Sequence, residues 1–98
     1  MERFTFEYPA SVEPAKRAHV GVVGSGDLEV LLEPAAGHTH SHVDVRTSVE
    51  GFGDAWKLVL TRFFARHPIA ARIEINDFGA TPGLVALRLE QAFEMSST

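Results

Sequence analysis

Residues 43–67, VDVRTSVEGFGDAWKLVLTRFFARH, decide the fold, because the spacing of apolar residues changes within this stretch. In its first part the apolar side chains fall on every second position, which predicts a β-strand with one buried face. The residues that share this face are Val43, Val45, Thr47 and Val49.

The second part of the stretch has helical spacing. From Asp54 to His67 the apolar residues recur every three or four positions, which predicts an amphipathic helix. Its buried stripe is Trp56, Val59, Leu60, Phe63 and Phe64. We expect Asp54 to be the N-cap, since a carboxylate there accepts a free amide hydrogen of the first turn. Pro68 ends the helix, because the residue before a proline avoids the α conformation.

The same two periods predict the elements on either side. Strands are expected at 4–8, 16–23, 28–33 and 72–76, with polar loops at 11–15 and 35–41. Thr81 followed by Pro82 starts a second helix, and we expect the tail from Ser96 to Thr98 to fray. The buried stripe of this helix is Leu84, Val85, Leu89 and Phe93, with Arg88 and Glu90 nearer solvent.

The resulting order is β-β-β-β-α-β-α. It predicts one α+β domain over residues 1–98, a small sandwich in which two helices pack on one face of a mostly antiparallel sheet of about five strands.

The amino-acid composition argues against several classes of function. The net charge of −4 argues against a nucleic-acid partner, since such proteins usually carry a basic face. No apolar run reaches membrane-spanning length, and no secretion signal is visible at the N-terminus. Cysteine is absent, which excludes disulfides and thiolate sites and fits a cytoplasmic protein. Any thiol that the protein uses must therefore come from a cofactor.

Gly24-Ser25-Gly26-Asp27 lies between two predicted strands and has the composition of a hairpin turn. A serine between two glycines is poorly shielded, which suits a residue that another enzyme modifies. A plain turn with a small polar tip is the commoner meaning of such a sequence. The residues themselves leave both interpretations open.

Metal binding and catalysis have weaker signals. His38, His40 and His42 occupy alternate positions, yet no fourth ligand is suitably spaced, so a solvated loop is favoured over a metal site. His19 and His67 have no evident partner. The Ser25 segment lacks the Gly-x-Ser-x-Gly spacing and the following helix of a hydrolase nucleophile, so we expect no catalytic residues.

Two longer stretches carry a family resemblance. Residues 20–34, VGVVGSGDLEVLLEP, resemble the prosthetic-group segment of the malonate decarboxylase acyl carrier protein, the delta subunit. Residues 76–93, NDFGATPGLVALRLEQAF, resemble its C-terminal block, and the likeness extends from about Phe4 to about Phe93. A weaker similarity to the citrate lyase acyl carrier protein, the gamma subunit, involves 48–55 and 88–90.

The resemblance implies a non-catalytic carrier subunit. Ser25 matches the attachment serine for phosphoribosyl-dephospho-CoA, with Gly24, Gly26 and Asp27 as the flanking turn. Acetyl and malonyl groups would be held as thioesters on this covalently bound cofactor. The implied partners are the acyl-transferase and decarboxylase subunits of malonate decarboxylase, together with a prosthetic-group transferase and a malonyl transferase.

Three further hypotheses follow. Asp27 and Glu29 would place negative charge beside the attachment point, where it could guide basic partner surfaces. We favour a helix-capping role for residues 77–83 over a position near Ser25. The alternative functions are a citrate lyase-type carrier, a small serine hydrolase at Ser25, or a structural or metal-binding module at His38, His40 and His42.

Overall fold

The computed structural model describes all residues from Met1 to Thr98 and contains the seven elements in the predicted order. The strands are β1 (Glu2–Pro9), β2 (Ala18–Gly21), β3 (Leu28–Pro34), β4 (His40–Thr47) and β5 (Ala71–Asp77). The helices are α1 (Gly53–Arg66) and α2 (Pro82–Ser97). Neither helix has the length and apolar character needed to cross a bilayer.

The five strands form one sheet in the order β1-β4-β5-β3-β2. Three of the four pairings are antiparallel, and only β4 and β5 run parallel. A parallel pair needs a crossover connection, and α1 supplies it. The mostly antiparallel sheet is therefore confirmed, with its last strand inserted at the centre.

A single hydrophobic core lies between the sheet and both helices. Alternate residues of the central strands point into it, among them Val30, Val45 and Ile75, each with 0% of its surface exposed. The helices contribute Trp56, Leu60, Phe63, Phe64, Val85, Leu89 and Ala92. The other face of the sheet carries polar and charged side chains such as Arg72, Glu74 and Asp44. Both helices thus cover one face, as predicted.

His67 joins the end of α1 to the middle of α2. Its ring stacks on Phe93 with centroids 3.8 Å apart, and its Nε2 lies 2.9 Å from Glu90 Oε2. Arg66 donates to the same carboxylate at 2.6 Å. Partial burial raises the pKa of Glu90, but the hydrogen bonds from Arg66 and His67 outweigh it and hold the pKa below its ordinary 4.5. The expectation that His67 has no partner is wrong, because the interaction joins residues distant in sequence.

Several predicted boundaries differ from the structure. Asp54 is not the N-cap: Phe52 occupies that position without a side-chain cap, and Asp54 lies in the first turn, where its charge still suits the positive helix end. The second strand is four residues long, ending at Gly21, and β4 already begins at His40 within the predicted loop. Val49 lies beyond the end of β4.

The C-terminal tail is ordered, contrary to expectation. Helix α2 continues to Ser97, and Ser96 is completely buried. The Ser96 carbonyl accepts hydrogen bonds from the backbone N–H groups of Ala15 (2.8 Å) and Lys16 (3.1 Å). The loop before β2 thus satisfies a carbonyl at the helix end, where no intrahelical donor remains.

Two leucines of α1 provide a matched test of the core. Leu60 is fully buried, whereas half of the Leu58 surface is exposed. Leu60→Ala should lower the free energy of unfolding by about 2–5 kcal/mol, since it leaves a cavity, and Leu58→Ala by about 0.5 kcal/mol. Urea denaturation of both variants measures the difference. Equal losses would show that α1 does not pack on the sheet by this face.

Candidate functional site

Ser25 lies at the exposed tip of the turn between β2 and β3. The N–H of Asp27 donates to the Gly24 carbonyl at 3.0 Å, which closes a four-residue turn around Ser25 and Gly26. The predicted hairpin is thus confirmed. The hydroxyl that the sequence singles out stands on a hydrogen-bonded turn and faces solvent.

Glycine is required at two positions of this connection. Gly26 has φ +76° and Gly21 has φ +81°, a left-handed backbone that other residues rarely adopt. A Cβ at Gly21 would lie 2.0 Å from the Leu28 carbonyl oxygen, so this strand end excludes a side chain altogether. A Cβ at Gly26 would meet nothing within 4 Å, so the space beside Ser25 is open.

The loop that follows β5 packs directly against the Ser25 turn. The Gly26 N–H donates to the Phe78 carbonyl at 2.8 Å, and the Phe78 N–H donates to the Asp27 carbonyl at 2.9 Å. These two bonds continue the pairing of β3 with β5 beyond the strand ends. Thr81 also caps α2, since its Oγ1 accepts the Leu84 N–H at 3.2 Å. Residues 77–83 therefore do both things that the sequence presented as alternatives.

An ion pair fixes the base of the turn from the helix side. Arg88 donates from Nε to Asp27 Oδ1 (3.2 Å) and from an NH₂ group to Asp27 Oδ2 (2.9 Å). The hydrogen bonds from Arg88, followed by one from the Leu28 N–H, hold the pKa of Asp27 below its ordinary 3.8. The two-pronged geometry constrains orientation as well as distance. Asp27 is thus tied to α2 rather than free at the turn.

Glu29 is engaged in a similar way on the other face of the sheet. It accepts hydrogen bonds from Asn76 Nδ2 at 3.0 Å, and its second oxygen lies 3.0 Å from His19 Nε2. His19 therefore has a partner that the sequence did not indicate. Both acidic side chains near Ser25 are mostly covered, each with 18% exposed.

The histidines at 38, 40 and 42 do not converge. His40 and His42 lie on the exposed face of β4, and His40 Nδ1 is 3.0 Å from the Thr39 hydroxyl. No group of three or more histidine, aspartate or glutamate side chains is placed to hold a metal ion. Nothing in this geometry favours the metal-binding alternative.

An apolar cavity of about 260 Å³ opens beside the loop that carries Gly79 and Ala80. Its walls come from the first turns of both helices and from the segment after β4, and include Val49, Phe52, Ala55, Trp56, Val59 and Val85. Asp77 also lines the cavity, and its buried carboxylate accepts hydrogen bonds from the Thr47 hydroxyl (2.8 Å) and the Ala80 N–H (3.0 Å). These bonds satisfy both oxygens of a buried acidic group.

The sequence missed two features of this site, Arg88 and the cavity. Arg88 falls four positions after Leu84 and three after Val85, so helical spacing does place it beside the buried stripe. Its partner is 61 residues away in sequence, and local patterns carry no signal for such a pair. The cavity depends on how three separate segments meet, which spacing along the chain does not reveal.

Comparison with known proteins identifies the family of this small α+β domain. Residues 15–96 match the family described as the malonate decarboxylase delta subunit (MdcD). The malonate decarboxylase acyl carrier protein of Pseudomonas paraeruginosa is 58% identical over 95 residues, covering 96% of this chain and 95% of the relative. The one from Azotobacter vinelandii is 53% identical over 96 residues, covering 96% and 95%.

A solved structure agrees with the sequence comparison. A chain in the crystal structure of a Pseudomonas malonate decarboxylase hetero-tetramer in complex with malonate superposes with a TM-score of 0.89 at 52% identity, over 97% of this chain and 98% of that one. The chain therefore belongs to the malonate decarboxylase delta subunit family. The resemblance to malonate decarboxylase carriers is confirmed.

The Asp27–Arg88 pair can be tested by titrating Asp27. In Arg88→Gln the pKa of Asp27 should rise, because the carboxylate loses its charged donor. NMR titration of the Asp27 carboxyl carbon measures the midpoint, with Arg62→Gln on the exposed side of α1 as control. A midpoint that is the same in wild type and Arg88→Gln would contradict the pair.

The lowered pKa of Asp27 also determines how the stability of the fold depends on pH. Since folding lowers the pKa of Asp27, its charged form stabilises the fold at neutral pH. That contribution should disappear as the pH falls below 3.8 and through the lowered pKa of the folded state. The difference in unfolding free energy between wild type and Asp27→Asn should therefore shrink in that range and stay constant near neutrality.

Proposed function

We propose that this acyl carrier subunit holds acetyl and malonyl groups on a phosphoribosyl-dephospho-CoA group that is joined through a phosphodiester to the Ser25 hydroxyl. Family membership and relatives named malonate decarboxylase acyl carrier protein support the carrier role. The observation that carries the assignment is the placement of Ser25. It is exposed on a turn whose backbone is hydrogen-bonded to Phe78, and the space beside it at Gly26 is open.

The residues around Ser25 fit a bulky covalent group. A Cβ at Gly24 would touch only Val22 at 3.9 Å, and one at Gly26 would touch nothing within 4 Å, so an attaching enzyme meets little steric hindrance. The chain contains no cysteine and offers no thiol of its own. When bound, the CoA-like group supplies the thiol on which acyl groups are carried as thioesters.

The chain's own part is attachment and presentation. Ser25 Oγ would form the new P–O bond of the phosphodiester and lose its proton, while the bond from that phosphorus to the diphosphate leaving group of an activated cofactor donor breaks. The Asp27–Arg88 pair and the two bonds to Phe78 fix the base of the turn, so the attachment point keeps one position relative to the domain. Tethering then raises the effective concentration of the acyl group at each partner's active site.

The partners that this role requires are of three kinds. We infer an acyl-transferase subunit that exchanges acetyl for malonyl, a decarboxylase subunit that acts on the malonyl form, and a transferase that installs the prosthetic group. The hetero-tetramer that contains the structural relative supports association with several subunits. Such a chain, without cysteine and dependent on a CoA derivative, suits the cytoplasm.

The competing functions gain no support from the geometry. A serine nucleophile needs a base within hydrogen-bond reach, yet the exposed Ser25 hydroxyl has no side-chain partner, and His67 stacks on Phe93 between the helices. The comparisons favour a malonate carrier over the citrate lyase type. The domain is therefore assigned no bond-making chemistry of its own.

Substitution of the attachment serine tests the proposal. Protein isolated from its native host should carry the additional mass of phosphoribosyl-dephospho-CoA, and Ser25→Ala should lack it entirely because no other oxygen occupies that place. Intact-protein mass spectrometry measures this. Ser48→Ala, which removes another exposed hydroxyl, should retain the full adduct.

Two results would contradict the assignment. One is a native protein whose mass equals that of the bare chain, and the other is a full adduct in Ser25→Ala. Labelling of Ser25 by a serine-reactive phosphonate would instead support the hydrolase alternative.

A further inference from the structure

The apolar cavity has no role in the carrier function described so far. Its volume of about 260 Å³ lies just below the range of typical small-molecule sites, about 300–1,000 Å³. A dry apolar cavity of about 150 Å³ can already hold benzene. The space therefore suits a small apolar group of a few heavy atoms rather than a whole cofactor.

The cavity lies next to the attachment turn. Gly79, which lines it, has φ +97°, and a Cβ built there would lie 3.9 Å from the Gly26 backbone nitrogen. Gly26 directly follows Ser25 in the chain. A flexible arm anchored at Ser25 and long enough to reach other subunits can fold back into an opening this close.

The chemistry of the cavity distinguishes between two acyl groups. Its walls are mostly apolar, including Val49, Trp56, Val59 and Val85, so a methyl group gains by entering. The buried Asp77 carboxylate that lines the cavity already accepts hydrogen bonds from Thr47 and Ala80, and it repels a second negative charge. Phe52 and Thr81, the N-cap residues of the two helices, also line the cavity but are exposed to solvent, so water screens the partial positive charge of the helix ends.

We propose that this cavity receives the acetyl thioester end of the arm and excludes the malonyl thioester. This inference rests on the proposed attachment at Ser25. An acetyl group is neutral and ends in a methyl, so it exchanges water for apolar walls. A malonyl group ends in a carboxylate, which would lose its hydration and face Asp77. The resting acetyl form is sheltered, while the malonyl form stays outside, available to a partner.

The reactivity of the two thioesters toward hydroxylamine tests the proposal. The holo-carrier from its native host is loaded with acetyl or malonyl, and each cleavage rate is compared with that of the same acyl group on free coenzyme A. Occupancy for about nine-tenths of the time lowers the acetyl rate about tenfold relative to acetyl-CoA. The malonyl rate on the carrier should match that of malonyl-CoA.

A substitution that fills the cavity provides a second test. Ala55 is half-buried in the first turn of α1 and lines the cavity, whereas Ala65 is exposed near the end of the same helix. Ala55→Phe should raise the acetyl cleavage rate to that of acetyl-CoA, and Ala65→Phe should leave the protection intact. Circular dichroism of both variants checks that the fold is kept.

Three outcomes overturn the inference. They are an acetyl rate on the wild-type carrier equal to that of acetyl-CoA, equal protection of acetyl and malonyl, and full protection in a folded Ala55→Phe. The first outcome would show that the acetyl group does not occupy the cavity. The wild-type comparison does not depend on either variant folding. Loss of protection with the adduct present on Ser25 refutes only this inference, whereas absence of the adduct refutes the carrier proposal.

Discussion

The position of β5 at the centre of the sheet is the constraint on which the rest of the structure depends. It pairs parallel with β4 on one side and antiparallel with β3 on the other, so each residue from Arg72 to Asp77 is registered against two neighbours. Because Asp77 at its end lies opposite Leu28 at the start of β3, the loop after β5 must meet the turn before β3. The hydrogen bonds between Phe78 and the Ser25 turn follow from that register.

The same register explains why two distant sequence blocks form one site. The Ser25 block and the block from Asn76 to Phe93 are joined at the backbone by Phe78 and at the side chains by Arg88 and Asp27. Between them the end of β5 contributes Asp77, whose partner across the parallel pair is Thr47. A turn held from the sheet and from α2 presents its serine in one place while leaving the hydroxyl free.

Local patterns were sufficient for the elements and for the turn that contains Ser25. The alternation around Val43 and the helical stripe around Leu60 predicted their elements, because burial of one face is encoded every two or every three to four residues. The N-cap at Asp54 was wrong, since α1 begins one residue earlier, at Gly53, with Phe52 at the capping position and no side-chain cap. The ordered tail at Ser96 depends on the loop at Ala15, an interaction that no local pattern contains. The partner of Arg88 and the apolar cavity could not be predicted for the same reason.

The central claim is that the hydroxyl of Ser25 carries the prosthetic group. Fragmentation mass spectrometry of the Ser25-containing peptide, taken from the native complex, locates the modified atom directly. We expect the mass of phosphoribosyl-dephospho-CoA on Ser25 and on no other residue. A peptide with unmodified Ser25, or the group on a different side chain, would contradict it.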